Sequence, residues 1–442
     1  MTVNKILYLL FFLIPISMGI GSFIPDLLVS LIAVIFLVYS FINKLWQYYR
    51  NKFFYFLIFF WIFLILSAYL SSSAVYAFKP SITYIRFIIF AIAIHYLSLN
   101  YPNFYNKTYI SFFIALVVSL FFGYFQLITG YSIFFSDLSL LLTSGPIAPY
   151  ERISGLFGDE LVLGGFLLRT LPLYCALFFL KQKKEKNKKD VYYFVTVFIL
   201  TVLMIFFAGE RSALALLVFF LSLCIIFLKT YRSLFLKIFL VVFVLLSVVT
   251  IFKKDIRDRY FVHTFKYGFF IHKKINLFSE QHQNHYTAAF KIFLDYPIQG
   301  AGIKSFRILC LKNKYHKGMG YHYWDRFING QFFIVRVPKP CGTHPHNTWV
   351  QILAESGIIG MSFFILFYFF LIKQLYKSYL KKENEENDQG KILLILFYFT
   401  VFWPIIPTGN FFNNWLSISY FLPLGILISR INSHNLKNLK HE

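Results

Sequence analysis

The stretch Thr343-His-Pro-His-Asn-Thr-Trp-Val-Gln-Ile-Leu-Ala-Glu-Ser-Gly-Ile-Ile-Gly360 joins the longest polar segment of the chain to an apolar run at Gly357–Ile372. That run is almost free of polar residues and is long enough to cross a lipid bilayer as a helix. Asn347 is a natural N-cap for the helix that follows it. We therefore expect a helix that starts at a membrane surface, with His344 and His346 immediately before it.

Apolar runs of this kind recur along the chain, which has 442 residues, is 58% hydrophobic and contains 14% charged residues. Soluble domains contain about a quarter charged residues, so the composition indicates an integral membrane protein. The runs are continuous and do not alternate with polar residues, which favours an all-α polytopic fold over a transmembrane barrel. Hydropathy predicts about twelve spans, near Leu7–Gly19, Ile24–Ile42, Phe53–Leu70, Thr83–Leu97, Tyr109–Ile128, Leu161–Leu180, Tyr192–Phe207, Ser212–Leu228, Leu234–Phe252, Gly357–Ile372, Ile392–Ile406 and Trp415–Ile428.

The charges in the loops give the expected orientation, because short loops rich in Lys and Arg stay in the cytoplasm. Four such loops fall on one side: Lys44–Lys52, Lys181–Asp190, Lys229–Arg232 and Lys373–Lys391. Both termini are then cytoplasmic in an inner (plasma) membrane. We expect a bundle of about nine spans in residues 1–252, a large, mostly helical periplasmic loop in 253–346, and about three spans with a short cytoplasmic tail in 347–442.

The formal net charge of +24 lies largely in loops, where Lys and Arg set topology, so it does not indicate a nucleic-acid partner. The loop 253–346 is basic although it falls on the outer side. Loops beyond about 60 residues translocate regardless of charge, and a basic outer loop suits an anionic substrate or membrane head groups. The sequence contains no Walker A motif, no Rossmann fingerprint and no zinc-ligand spacing, which gives no support to a nucleotide, cofactor or metal.

The four cysteines divide into two pairs by position. Cys175 and Cys224 fall inside expected spans, where they are apolar packing residues. Cys310 and Cys341 both lie in the outer loop, where an oxidising compartment would permit a disulfide. The sequence does not supply the geometry that decides whether the bond forms.

His346 is the first candidate for chemistry. A neutral imidazole near a helix N-terminus, where free N–H groups favour an anion, could accept a proton from a hydroxyl nucleophile. The alternative is an interfacial histidine that only caps the helix. Arg211, at the outer end of one span and the start of the next, could hold a phosphate with two hydrogen bonds, or could be an interface arginine paired with Glu210.

A third candidate, Arg169, lies about two turns inside the span that begins at Leu161. A charge at that depth is costly and usually faces a cavity or a partner. Asp159 or Glu160 could neutralise it, so a structural ion pair and a substrate contact both remain open.

Within the outer loop, His282–Asp295 has the periodicity of an amphipathic helix. The side predicted to be apolar contains Tyr286, Ala289, Phe290 and Phe293. Pro297 ends the helix, and Gly300-Ala-Gly302 predicts a tight turn before Ile303–Cys310, with Lys304 and Arg307 close to that turn.

Three blocks resemble the bacterial O-antigen ligase and O-antigen polymerase superfamily. They are Ser154-Gly-Leu-Phe-Gly-Asp-Glu with Gly164-Gly165, then Arg211-Ser-Ala-Leu-Ala-Leu, and Asp295-Tyr-Pro-Ile-Gln-Gly-Ala-Gly302 followed by His344-Pro-His-Asn and Gly357-Ile-Ile-Gly360. The spacing His-Asn-x9-Gly-x-x-Gly, in which Asn347, Gly357 and Gly360 support His346, is the most specific of these features.

The resemblance implies an inverting, metal-independent glycosyltransferase with a C-type membrane fold. His346 would be the general base, and Arg211 would contact the diphosphate of an undecaprenyl-diphosphate-linked glycan. A second family arginine falls here near His282, so that contact could come from His282, from a shifted residue such as Arg307 or Arg259, or be absent. Arg169 and His344 are additional site candidates.

The acceptor stays open at this point. A ligase would use lipid A–core, a polymerase another lipid-linked glycan, and a protein O-oligosaccharyltransferase a Ser or Thr hydroxyl. Donor and acceptor would both be embedded among membrane lipids. The non-enzymatic alternative is a flippase or exporter of lipid-linked glycans, which should show internal repeat symmetry that this sequence lacks.

Overall fold

The computed structural model of the protein describes residues 3–71, 73–135, 142–146, 152–158, 160–181, 187–252, 254–262, 270–271, 274–275, 278–328, 331–380 and 386–438. Its α-helices are α1 (Val3–Ser17), α2 (Phe23–Ile42), α3 (Lys52–Tyr69), α4 (Ala74–Thr83), α5 (Ile85–Asn100), α6 (Phe104–Thr129), α7 (Leu163–Leu180), α8 (Lys188–Phe207), α9 (Arg211–Phe227), α10 (Arg232–Phe252), α11 (Lys254–Arg257), α12 (Glu280–Asp295), α13 (Phe306–Leu309), α14 (Asn313–His316), α15 (Thr348–Leu380), α16 (Glu386–Val401) and α17 (Asn414–Asn438). Its strands are β1 (Tyr131–Phe135), β2 (Leu142–Pro146), β3 (Phe270–Ile271), β4 (Lys274–Ile275), β5 (Tyr321–Ile328) and β6 (Gln331–Pro338), which pair as three antiparallel hairpins.

The all-α polytopic membrane fold is confirmed, but the number of spans is not. Within the described residues, eight helices are long and apolar enough to cross a membrane: Phe23–Ile42, Lys52–Tyr69, Ala74–Asn100, Phe104–Thr129, Leu163–Leu180, Lys188–Phe207, Lys229–Phe252 and Thr348–Leu380. Val3–Ser17 and Arg211–Phe227 are apolar but shorter. The expected twelve is therefore not confirmed, because hydropathy alone does not measure the length of the helix that carries an apolar run.

Helix α7 lies at the centre of the bundle. Of its residues, 89% are buried within the protein. The helix packs against α6, α8, α9 and α16. The rings of Tyr109 and Tyr174 stack at 5.0 Å, and their hydroxyl groups share a hydrogen bond of 2.9 Å. By contrast, only 17% of the residues in the apolar segment of α10 are buried, so this helix lies at the periphery. The N-terminus of the most enclosed helix thus provides a fixed point for the loops that build the site.

The loop between α10 and α15 is less helical than the sequence suggested. It contains α12 and the short helices α13 and α14, but it also contains β5 and β6, a hairpin of two eight-residue strands. The strands pair from Tyr321↔Pro338 to Ile328↔Gln331. Aromatic and β-branched residues are common in both strands, and such residues favour a pleated conformation.

Helix α12 begins at Glu280, two residues before the predicted start, and Ser279 caps it by accepting a hydrogen bond from the backbone of His282. The predicted apolar face is displaced. The buried side consists of His285, Ala288, Ala289 and Ile292, whereas Phe290 is 53% exposed. Because a buried histidine counts as polar in a periodicity argument, the pattern pointed to the neighbouring face.

The turn at Gly300-Ala-Gly302 docks onto a kink in α15. Gly357 interrupts that helix with φ of 62°, and the freed backbone N–H of Ile358 donates to Pro297 O at 2.9 Å. Gly300 has φ of 75°, and a Cβ atom there would overlap the backbone of Ser356. Only glycine permits this approach. The contact fixes the outer loop to the helix that follows His346.

Candidate active site

Four histidines come together where the outer loop meets α15. The ring centroid of His346 lies 4.1 Å from that of His344, 5.2 Å from His285 and 5.8 Å from His282. His282 and His285 lie one turn apart on α12, whereas His344 and His346 lie in the segment before α15. Two separate elements of the chain therefore contribute imidazole rings to one cluster.

His346 is held in an uncommon backbone conformation. Its φ of 57° is in the left-handed region, where His, Asn and Asp are enriched among non-glycine residues. Its carbonyl oxygen accepts a hydrogen bond of 2.8 Å from the backbone N–H of Thr408. Asn347 then caps α15, since its Oδ1 accepts from the backbone of Trp349 at 3.0 Å and of Val350 at 3.2 Å. The cap and the bond to Thr408 together fix the orientation of His346.

The segment after α16 provides the remaining support. Asn347 Nδ2 donates to Pro404 O at 2.7 Å, and the hydroxyl of Thr408 accepts from the backbone N–H of Thr348 at 2.8 Å. The sequence interpretation missed Thr408, because contacts across about sixty residues leave no trace in local spacing. The aromatic and polar residues of 404–414 therefore belong to the site although they lie beyond the Gly357–Gly360 pair.

The environment keeps the cluster neutral. Burial lowers the pKa of His346 to about 3, and the charges that His344, His285 and His282 would carry lower it further. Burial likewise lowers the pKa of His344 to about 4 and that of His282 to about 4. All three rings are therefore uncharged at neutral pH, so each has a nitrogen that can accept a proton. Within the described part of the chain, no group of three or more His, Cys, Asp or Glu side chains is arranged to hold a metal ion.

Arg211 is the first residue of α9, and its charge lowers the pKa of His282. The structure places a second arginine at the same turn. Arg259 Nε donates a hydrogen bond of 2.8 Å to Gly209 O. Burial is the main cause that lowers the pKa of Arg259, and the charges of Arg152 and Arg211 lower it further. Arg259 was one of the shifted residues considered from the sequence. Its position is secured by Tyr260, whose ring stacks on Phe206 at 5.0 Å.

Glu210 has partners outside its own turn. Its carboxylate accepts from the backbone N–H of Gly164 at 2.7 Å and of Gly165 at 3.1 Å, and lies 3.3 Å from Arg152. Burial raises the pKa of Glu210, an effect that the charge of Arg152 and these two amides oppose. The free N–H groups at the start of α7 thus anchor the turn that carries Arg211.

Arg169 lies in the same region but is oriented along its own helix. Its Nη1 donates to Gly165 O at 2.8 Å, and a Cβ atom on Gly409 would lie 3.6 Å from Nη2. Of the two carboxylates expected to neutralise it, Asp159 lies outside the described residues. The carboxylate that approaches Arg169 is Glu210, which shares Gly165 with it.

Arg307, one of the alternatives for the second diphosphate contact, follows the Gly300-Ala-Gly302 turn. It is exposed at the start of α13, and its charge lowers the pKa of His344. Nearby, Glu355 is fully buried and accepts from Gln351 Nε2 at 2.9 Å and from the backbone of Phe306 at 3.1 Å. The charge of Arg211 thus acts on His282, and the charge of Arg307 acts on His344.

An apolar cleft of about 380 Å³ lies between α12 and the start of α15. It is lined by Tyr286, Thr287, Ala289, Phe290, Val350 and Leu353. Tyr286 follows one turn after His282, and Val350 is in the capped first turn of α15. The apolar lining makes the cleft suitable for hydrocarbon or for the apolar face of a sugar.

Cys310 and Cys341 form a disulfide across 31 residues of the outer loop. Cys341 follows Pro340, whose carbonyl oxygen lies 2.7 Å from Nδ1 of His285. The bond ties α13 to the segment that leads into His344. In turn, α13 packs against α12, which carries His282 and His285.

Comparison with known protein families gives one match. Residues 196–365, less than half of the chain, match the family model described as O-Antigen ligase. A search of characterised proteins gave no significant match. The matched segment runs from within α8 to within α15 and contains Arg211, Arg259, His282 and His346.

The match and the apolar helices point to the same class of protein. A family of this kind works in a membrane on a lipid-linked glycan donor and a glycan acceptor, and the helices indicate a multi-pass protein of the bacterial inner membrane. The match over residues 196–365 therefore supports placing the chain in the O-antigen ligase and O-antigen polymerase superfamily of membrane glycosyltransferases.

Proposed function

We propose that the protein transfers a glycan from undecaprenyl diphosphate to a hydroxyl group of lipid A–core on the periplasmic face of the inner membrane. The observation that supports this most is the position of His346, a neutral imidazole in a cluster with His282, whose pKa is lowered by the charge of Arg211. Arg259 is hydrogen-bonded to the turn that carries Arg211. A base and a cationic pair next to each other suit displacement of an anionic leaving group by a hydroxyl.

In the proposed reaction, His346 takes the proton of the acceptor hydroxyl as its oxygen attacks the anomeric carbon of the donor sugar. The bond between that carbon and the diphosphate oxygen breaks, and the electron pair leaves with the undecaprenyl diphosphate. Attack opposite to the leaving group inverts the anomeric configuration. His346 later releases the proton to water.

The low pKa of His346 agrees with this role once the donor charge is considered. In the free protein, burial keeps the ring neutral and available as an acceptor. A diphosphate bound near the ring would favour the protonated form and raise its pKa towards the working pH, where general bases are most effective. Donor binding would thus increase the basicity of His346 at the moment when it is needed.

Arg211 and Arg259 are proposed to hold the diphosphate. Guanidinium groups form paired hydrogen bonds with phosphate oxygens, and the negative charge on those oxygens increases as the glycosidic bond breaks. Both arginines are fixed through the turn at Gly209-Glu210-Arg211, by Arg259 bonding to Gly209 and by Glu210 bonding to the start of α7. We place this turn and the histidine cluster on the periplasmic side, and both termini in the cytoplasm.

Complementation of two bacterial deletion strains tests the proposal, one strain lacking its O-antigen ligase and the other lacking its polymerase. We expect long-chain lipopolysaccharide to return in the ligase-deficient strain with the wild-type protein and not with His346→Ala. Restoration only in the polymerase-deficient strain would replace lipid A–core by a second lipid-linked glycan as acceptor. Failure in both strains, with the protein present in the membrane, would contradict the proposed function.

A further inference from the structure

A second group of cations lies near the histidine cluster, apart from Arg211 and Arg259. Lys304 follows the Gly300-Ala-Gly302 turn with φ of 60°, and its Nζ lies 3.4 Å from Oδ1 of Asn414. Arg307 follows in the first turn of α13. The turn that positions both is anchored to α15 by the bond of 2.9 Å from Gly302 N–H to Glu355 O.

Two carboxylates, Asp26 and Glu355, act on Lys304 through their charge, but each accepts hydrogen bonds from other residues. Asp26 binds Arg86 at 2.8 Å and accepts from Asn414 Nδ2 at 3.1 Å. Glu355 is fully buried and is satisfied by Gln351 and the backbone of Phe306. Within the part of the chain that the structure describes, neither Lys304 nor Arg307 forms an ion pair. The pair is thus a local excess of positive charge.

Lys304 and Arg307 lie on either side of Phe306 in the chain. The charge of Arg307 lowers the pKa of His344, and that of Arg211 lowers the pKa of His282. The rings of both histidines contact His346, at centroid distances of 5.8 and 4.1 Å. Arg307 is adjacent to Phe306, whose ring lies 6.5 Å from His285. Through Phe306 and His285, Arg307 is therefore connected to the cluster that contains His346.

We propose that Lys304 and Arg307 form a second anion-binding site, which holds a phosphoryl group of the acceptor glycolipid while His346 takes the proton from the acceptor hydroxyl. This inference rests on the proposed function. One cationic pair would then bind the donor diphosphate and the other the acceptor. An arginine fork and a flexible lysine are a suitable combination for phosphate oxygens.

Two kinds of acceptor carry this chemistry: a core glycolipid with phosphorylated sugars, and a second glycan linked to polyprenyl diphosphate. Both would place a phosphoryl group near Lys304 and Arg307 and a free hydroxyl near His346. A protein acceptor would bring a hydroxyl without the anion. The proposal therefore predicts an anionic acceptor and distinguishes glycolipid from unmodified protein.

The test measures transfer by the purified full-length protein with a polyprenyl-diphosphate-linked glycan donor. Three acceptors are compared: a phosphorylated core glycolipid, its dephosphorylated form, and a second lipid-linked glycan. The variants are Arg307→Ala, Arg307→Lys and Lys304→Gln, with Lys312→Ala as a control that removes one exposed positive charge from the same loop.

We expect Arg307→Ala and Lys304→Gln to raise the KM for the charged acceptor by about tenfold or more, as loss of a charge-assisted hydrogen bond does. The KM for the donor should stay unchanged, and Arg307→Lys should recover part of the loss. With the dephosphorylated acceptor, these variants and wild type should behave alike. The charged acceptor that shows the effect identifies the source of the phosphoryl group.

An unchanged KM for the charged acceptor in both variants would overturn the inference. So would an equal rise in the KM for the dephosphorylated acceptor, or a rise only in the KM for the donor. If the wild-type protein transfers no glycan to any of these acceptors, the proposed function fails first. Active wild type with unaffected variants instead leaves the proposed function intact and removes only the second anion site.

Discussion

The Nε of Arg259 donates a hydrogen bond of 2.8 Å to the carbonyl oxygen of Gly209. This contact joins two segments fifty residues apart and places a second guanidinium at the turn that begins α9. A Cβ atom on Gly209 would lie 2.7 Å from the same nitrogen, so the glycine makes room for the arginine. We propose that Arg259 supplies the contact of the second family arginine, which this chain lacks near His282.

Arg259→Ala should therefore weaken use of the donor. We expect the KM for a polyprenyl-diphosphate-linked glycan to rise about tenfold or more, as for Arg211→Ala, because each loses a charge-assisted contact. Arg257→Ala removes a half-exposed charge two residues away and is the matched control. Measured transfer rates over a range of donor concentrations decide the matter, and equal donor KM values for Arg259→Ala and Arg257→Ala would refute the role.

The stability of the protein should fall in mild acid because of the histidine cluster. The folded state holds His282 and His344 with pKa values of about 4 and His346 with a pKa of about 3, all below the ordinary 6.5. As the pH falls, the unfolded chain protonates these histidines at a higher pH than the folded protein does. Their contribution to the free energy of unfolding is therefore fully present above about pH 6.5 and is lost as the pH falls towards 4.

Thermal unfolding of the purified protein in detergent, measured between pH 7 and pH 4, tests this expectation. The variant His346→Gln should lose less stability over the same interval than the wild type, because one titrating group is absent. Identical pH dependence in the two proteins would show that His346 does not titrate as its burial requires.

Gly300 should not accept a side chain. A Cβ atom there would overlap the backbone of Ser356, and the φ of 75° adds a conformational cost, so Gly300→Ala should destabilise the protein by at least about 2 kcal/mol. Gly21→Ala is the control, since no atom lies within 4 Å of a Cβ placed at Gly21. Folded yield and melting temperature provide the measurement, and similar values for the two variants would contradict the docking of the turn.

The disulfide between Cys310 and Cys341 should stabilise the outer loop by about 2–4 kcal/mol, the usual range for such bonds. Reduction, or the double change Cys310→Ala with Cys341→Ala, should lower the melting temperature and reduce transfer. Cys175→Ala changes a buried cysteine elsewhere and is the comparison. Labelling of both outer-loop thiols in protein prepared without reductant would show that the bond does not form.

Much of the architecture could be predicted from local pattern. Continuous apolar runs identified the membrane helices, and the spacing between Asn347 and Gly357 anticipated a capped helix with a special position ten residues later. Both features depend on neighbouring residues. The kink could not be predicted, because the φ of 62° at Gly357 accompanies a distant contact in which Ile358 N–H donates to Pro297 O.

The parts that were missed depend on distant contacts. Thr408 supports His346 from 62 positions further along the chain, and no motif connects them. His285 was overlooked because histidine lowers the apolar score of the face that it occupies, although that face is the buried one. The count of twelve spans is not confirmed, because hydropathy identifies apolar segments without determining the length of each helix.

The role of His346 is the central claim, and the most direct measurement compares His346→Ala with the wild type for both donor binding and glycan transfer. His316→Asn is the control, because His316 is a buried loop histidine bonded to Tyr321 and Cys310 outside the cluster. We expect His346→Ala to bind the lipid-linked donor normally and to transfer no measurable glycan, while His316→Asn remains active. Transfer by His346→Ala at the wild-type rate would contradict this role.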